Sequence, residues 1–301
     1  MNIIGKRKLY FILSLLVIIP GIVSLLFYGL HFSIDFTGGS LLEVKIEHAQ
    51  QPVTNDSVKK ITEEEMVEVA TIQSSGAQTY LLRLKPINKD QSNTIQKAMG
   101  EKLGAKVSEV RFETVGPTVG KELTQKAILS VIIASIAIVL YIAWAFRRVP
   151  KPTSSWEFGI VTIIALLHDI LVVIGVFSIL GHYYGAEVDS LFITALLTVM
   201  GFSVHDTIVV FDRIRENLHR MGGTSFATVV NESMVQTLAR SLSTSLTVLF
   251  TLFALLLFSS GSLKWFLVAL LIGIVSGTYS SIFNASPLLV VWQEWIEKKK
   301  N

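Results

Sequence analysis

The sequence predicts a polytopic α-helical membrane protein, with six transmembrane helices and a ferredoxin-like α+β extracytoplasmic domain inserted between the first two. Three observations predict it. Hydrophobic residues make up 51% of the 301 residues, and a mean hydropathy of +0.56 exceeds that of ordinary soluble domains. Six apolar segments are long enough to cross a bilayer, which takes about 20 residues of helix. A single sizeable polar region, residues 31–122, separates the first segment from the others.

The first span covers residues 9–30. Its basic start imitates a secretory signal, yet the apolar run is too long and no A-x-A-like cleavage site follows. Residues 1–30 therefore read as a cytoplasmic N-terminus and an uncleaved anchor. In the polar region, residues 40–47 alternate as a strand with Leu42, Val44 and Ile46 on one face. Thr54 or Asn55 caps a helix that runs to about Val69. Residues 69–73 and 78–85 form a hairpin around Ser74-Ser75-Gly76. A helix starting at Asp90 or Ser92 ends before Gly104, and residues 106–115 make the last strand, burying Val107, Val110 and Phe112. The order βαββαβ is the ferredoxin-like arrangement. Gly38-Gly39 marks a bulge or a tight backbone approach near the membrane.

The remaining spans cover residues 124–146, 157–180, 190–211, 241–258 and 263–291, within a membrane bundle of residues 123–296. The connection 212–240 carries Phe226, Val229, Val230 and Met234 at the spacing of one helix face, which predicts a helix lying along the cytoplasmic surface, with a docking site for a cytoplasmic partner as the alternative. Residues 297–301 are a short tail.

Basic residues set the orientation. Lys6, Arg7 and Lys8 precede the first span, and Arg147, Arg148 and Lys151 follow the second. Arg213, Arg215, Arg220 and Arg240 lie between the fourth and fifth, and Lys298, Lys299 and Lys300 end the chain. The opposite loops hold Glu187 and Asp189. Both termini are expected in the cytoplasm. The net charge of +3 reflects this asymmetry and gives no case for nucleic-acid binding. With no cysteine, disulfides, thiolate nucleophiles and cysteine metal sites are excluded.

Chemistry points to acids inside the spans. Asp206 follows an apolar run and precedes Thr207-Ile208-Val209-Val210-Phe211. An aspartate at the centre of a membrane helix costs about 2.5–3.5 kcal/mol on insertion scales, so it is either paired, wet or functional. A carboxyl balanced between desolvation and a neighbouring cation can load and release protons. Arg240 leads a polar stripe, Thr244, Thr247 and Thr251, and meets Asp206 if the fourth and fifth helices pack antiparallel. His168 and Asp169 sit near the middle of the third span, as a proton relay, as a partner for Asp206 or Arg240, or as interhelical hydrogen-bonding groups. Gly273-x-x-x-Gly277, with Ser280, Ser281, Asn284 and Pro287 following, favours close helix contact within the chain or with another subunit. Gly116 to Glu122 imitates a phosphate-binding loop, but the spacing is one short and Glu replaces the hydroxyl residue. The sequence calls for no cofactor and no metal.

The segment Gly201–Asn217, GFSVHDTIVVFDRIREN, resembles the signature of the SecF family, the smaller membrane subunits of bacterial SecD–SecF export accessory complexes. Asp35-Phe-Thr-Gly-Gly-Ser40, Val115-Gly-Pro-Thr-Val-Gly120, Leu167-His-Asp169 and Leu238-Ala-Arg240-Ser-Leu242 are similar to other family motifs, and the likeness covers nearly the whole chain. The family belongs to the resistance–nodulation–division group. The resemblance implies a SecD partner, association with the SecYEG channel and SecA, contact with the translocating preprotein, and residence in the bacterial cytoplasmic membrane. It implies use of the proton motive force to promote export after the SecA-driven stage, with no enzymatic activity. By it, Asp206 carries the proton and Arg240 is its charged partner. One departure is His205, where the family pattern has asparagine before the aspartate. A Met directly before the first span implies a stand-alone subunit rather than half of a fused chain. The competing expectations are a proton-coupled small-molecule or lipid transporter of the same group, and a membrane hydrolase.

Overall fold

The computed structural model describes residues 1–74, 78–147, 149–150 and 152–300. Ser75 and Gly76 of the expected hairpin turn, and the basic residues Arg148 and Lys151, lie outside the described residues. The chain divides into two compact units, Met1–His31 with Leu129–Asn301, and Phe32–Ile128.

The smaller unit contains α2 (Ile34–Thr37), β1 (Gly39–Glu47), α3 (Asn55–Glu64), β2 (Val69–Ser74), β3 (Thr79–Leu84), α4 (Lys89–Leu103) and β4 (Lys106–Val115). The sheet order is β2-β3-β1-β4 and every pair is antiparallel, which is the ferredoxin-like topology. The alternation of β1 sends Leu42, Val44 and Ile46 into the core, where they meet Val58 and Ile61 of α3 and Ile95 and Met99 of α4. Both helices start on capping boxes, Thr54 with Ser57 and Asn88 with Gln91. Each box satisfies two backbone donors that a helix start leaves free.

Three expectations are corrected here. The helix α3 stops at Glu64, not near Val69: Met66 takes a left-handed φ of 60°, and Val67 and Val69 turn into the core. The second helix is capped by Asn88, two residues before the expected Asp90. Val110 is 56% exposed rather than buried. Glu43 pairs with Arg111 and Val44 with Glu109, so Val110 is the extra residue of a bulge. A bulge shifts the facing phase by one residue, which is how Val107 and Phe112, five apart, both pack on the core.

Gly38 and Gly39 are the tight approach that the sequence led us to expect. Gly39 has φ of 130°, and a Cβ there would sit 2.8 Å from the Leu84 carbonyl oxygen. Gly38 has φ of 72° and faces Pro117 Cα at 3.0 Å. Only glycine fits both conditions.

On β4, the Lys89 ammonium bonded to Glu109 holds that carboxyl below the usual carboxylate range, with burial opposing and Gln96 and Ser92 assisting. A lowered folded value gives stability that is present above the unfolded value, about pH 4.3, and lost as pH falls through the folded one. The protection of this unit's amides in the full chain, corrected for the intrinsic exchange rate at each pH, is therefore expected to fall as pH drops from about 5 to 3. Glu109→Gln should be less stable than wild type at pH 7 and should flatten that acid dependence. An identical pH profile in the variant would contradict it.

The larger unit is helical. It holds α1 (Arg7–Tyr28), most of α5 (Pro117–Ala145), α6 (Ser155–Tyr184), α7 (Ser190–Arg220), α8 (Phe226–Leu257), α9 (Gly261–Ser280) and α10 (Ser286–Lys300). Residues Ser281–Ala285 form a π-helical turn between α9 and α10. By length and composition six helices qualify as membrane spans among the described residues, the last running Gly261–Lys299 through the π turn. Pro287 has no N–H for the carbonyl of Phe283, and a widened turn accommodates that loss.

The surface helix expected over 213–240 is not a separate element. Both neighbouring helices run on, leaving only Met221–Ser225 as the turn of an α7–α8 hairpin. Val229, Val230 and Met234 are buried in the bundle core instead of facing a membrane surface. Asn231 also fastens the chain's start, accepting from the backbone N–H groups of Ile3 and Ile4 at 2.8 and 3.2 Å.

Small residues bring helices together. Gly21 and Gly175 place α1 against α6 so closely that a Cβ on either would fall within 3 Å of the other's Cα. Gly273 and Gly277 of α9 abut Val199 and Ser203 of α7. The Gly-x-x-x-Gly pattern therefore serves contact within this chain.

Candidate functional site

Asp169 and Asp206, the acids inside the spans, lie in the same bundle and are held in opposite ways. Asp169, on α6, is fully buried. Its Oδ2 accepts from Ser203 Oγ at 2.6 Å and Ser280 Oγ at 2.7 Å. Its Oδ1 accepts from Ser276 Oγ at 2.8 Å and lies 3.0 Å from His168 Nδ1, which donates when that nitrogen carries the proton. A carboxylate offers about four lone-pair sites; three are taken by serine hydroxyls, and the fourth by His168 when Nδ1 carries the proton. The donors come from α7 and α9, so one side chain ties three helices.

Asp206, on α7, is 1% exposed. Its contact with the Ser245 hydroxyl is long, with Oγ 3.4 Å from Oδ2. Thr278 lies within reach of the same carboxyl. His205 Nδ1 is 3.8 Å from Oδ1, beyond hydrogen-bonding distance. The imidazole itself is 66% exposed, as expected for a neighbour about 100° around the helix. Asp206 is thus buried without a full set of partners.

Arg240 does not meet Asp206 in this chain. Among the described residues its guanidinium has no ion pair, and it lines a polar cleft of about 350 Å³ with Asp212, Arg213, Glu216, Gln236 and Thr237. Ser245, the α8 residue that does reach Asp206, follows Arg240 by five positions. Five residues turn a helix by about 140°, so when one faces the bundle the other faces out. The stripe Thr244, Thr247 and Thr251 goes outward with Arg240, each hydroxyl bonded back to its own helix backbone.

Sequence reasoning missed the inward stripe of α8. Ser233, Thr237, Ser241 and Ser245 recur every fourth residue and all are buried. It also missed the alternation on α9, where Ser276 and Ser280 face Asp169 while Thr278 bonds Ser245 at 2.6 Å. The fourfold spacing was the available signal for the first. For the second, hydroxyls beside Gly273 and Gly277 were the signal, since a helix that packs closely brings its small polar residues within bonding range.

Comparison with known proteins places this architecture. The family model described as "Protein export membrane protein SecD/SecF, C-terminal" matches residues 95–295, and "SecD/SecF GG Motif" matches residues 23–50. The chain belongs to the SecD/SecF family. A protein named protein translocase subunit SecF from Thermobaculum terrenum is 47% identical, over 97% of this chain and 94% of its own length. Its namesake from Anaerolinea thermophila is 44% identical over 98% and 96%. The crystal structure of SecDF from Thermus thermophilus, described as a translocon-associated membrane protein, superposes with a TM-score of 0.82 at 33% identity, covering 98% of this chain. The chain spans 39% of that longer SecDF chain. The glycine pair at β1 falls inside the GG motif match, and Asp169 and Asp206 fall inside the SecD/SecF match.

Proposed function

We propose that this chain is a proton-driven subunit of the Sec export machinery. With a SecD partner it promotes protein export across the cytoplasmic membrane, after SecA has driven the preprotein through the SecYEG channel. It acts as a non-enzymatic subunit, with both termini cytoplasmic. The family supports the export role, and relatives in which SecD and SecF form one chain support the SecD partnership.

The observation that carries the proton reading is the contrast between the two acids. With the His168 proton on Nδ1, Asp169 has no acceptor site free to take a proton without breaking a bond. With His168 it serves as the fixed post of the bundle. Asp206 is equally buried but poorly bonded, and a carboxyl in that condition is poised to change its protonation state. Arg240 and the outward threonines of α8 lie on the helix face turned away from Asp206, which suits the seam with SecD. Charged Asp206 draws Arg240 toward the bundle. Protonated Asp206 releases it, and the helix packing shifts between two arrangements that move the outer domain.

Export kinetics test this in membrane vesicles that contain or lack the chain, with SecA and ATP supplied. The chain is expected to accelerate the late stage only while a proton gradient is present. Equal acceleration after the gradient is collapsed would overturn the reading.

A further inference from the structure

Between the two aspartates runs α9, and its residues alternate between them. Ser276 and Ser280 bond Asp169 on one side, and Thr278 reaches Ser245 and Asp206 on the other. Gly277 lies against Ser203, and Ser281 Oγ sits 2.9 Å from Thr207 Oγ1 and 3.0 Å from the Ser203 carbonyl oxygen. The π turn begins at that same Ser281. π turns mark places where a helix ladder is already loosened.

We infer that Ser245 and Thr278 are a positioning pair that orients the Asp206 carboxyl and transmits its charge state to α9. The inference rests on the proton reading above and names the groups that read the proton. When the carboxylate is charged, Ser245 donates to it and Thr278 donates to Ser245. When Asp206 carries the proton, it donates to Ser245, and Ser245 then donates to Thr278. Ser245 keeps one donated and one accepted bond in both states, whereas Thr278 changes from donor to acceptor; no charge crosses the pair and only bond direction reverses. The hydroxyl hydrogen of Thr278 is then left to seek another acceptor, three residues before the π turn begins at Ser281. Asp169 holds the opposite face of α9 fixed through Ser276 and Ser280, so any yielding is directed to the Asp206 side.

The other titratable groups on packed helices do not compete for this contact. His205 shares α7 but points outward, Arg240 faces away on α8, and the His168–Asp169 pair of α6 is engaged with its serines. On α9, Tyr279 donates to the Tyr10 carbonyl.

Infrared difference spectroscopy of the full chain in lipid nanodiscs, stepped in pH, tests the pair. Asp206→Asn assigns the band of the Asp206 carboxyl. Ser245→Ala and Thr278→Val are expected to move that C=O band to higher wavenumber, because a donor or acceptor is lost. Thr278→Ser, which keeps the hydroxyl, should hold it near the wild-type position. Gradient-dependent export by the SecD-containing complex should fall by up to about tenfold in Thr278→Val, the upper end of the effect of one neutral hydrogen bond, and recover in Thr278→Ser. An Asp206 band that titrates yet ignores both substitutions would refute the pair alone. A wild-type band that never appears would remove the proton reading and the pair together. Should Thr278→Val not accumulate, the band position in Ser245→Ala alone upholds or refutes the pair.

Discussion

Asp206→Asn is expected to abolish the gradient-dependent increment of export while the protein accumulates and binds SecD as wild type does. Asparagine keeps the shape of the side chain and can still bond Ser245 and Thr278. It resembles the protonated acid and cannot give the proton up. The bundle is then held in one of its two arrangements, whatever the gradient. Because Asp206 is 1% exposed with a 3.4 Å hydroxyl contact, replacing it forfeits little bonding, so stability should change by less than about 1 kcal/mol. Export in the variant, measured with and without a gradient at matched protein levels, should superpose on wild type without a gradient. A variant that still answers to the gradient would remove Asp206 from the mechanism.

How far this site was legible in the sequence depends on what a residue type can disguise. An aspartate inside an apolar run is too costly to be incidental, so Asp169 and Asp206 stood out. The βαββαβ order was equally plain, since period-two and period-3.6 patterns alternate across residues 40–115. Hydroxyl residues are ambiguous, because Ser and Thr satisfy themselves on their own helix backbone. Thr244, Thr247 and Thr251 do so, whereas Ser245 reaches across to Asp206. Nothing local separates the two groups; only the rotation of α8 in the bundle does. The same ambiguity hid the α7–α8 hairpin. An amphipathic face at Val229, Val230 and Met234 fits a helix on a membrane surface or one running past it. The bulge at Val110 left a clue in the odd spacing of Val107 and Phe112, which a regular strand cannot bury together.

Asp169→Ala should have the opposite profile, a stability defect that no gradient dependence accompanies. Removing the carboxyl leaves Ser203, Ser276 and Ser280 without their acceptor in a fully buried place, and frees His168 Nδ1 as well. Hydrogen bonds between membrane helices average about 0.6 kcal/mol each, so losing this set costs roughly 2 kcal/mol before any cavity is counted. The three serines can partly recover by bonding their own helices, as Ser280 already can through the Gly277 carbonyl at 3.2 Å. That recovery sets an upper bound on the loss and predicts where it shows. Contact between α6 and α9 should loosen first, seen as faster amide exchange or cleavage at the π turn Ser281–Ala285, with a melting temperature several degrees lower in detergent. Asp169→Asn, which keeps one carbonyl oxygen as acceptor, should fall between the two. If Asp169→Ala melts like wild type but loses gradient-dependent export, then the assignments of post and proton carrier are reversed, and Asp169 with His168 is the moving charge.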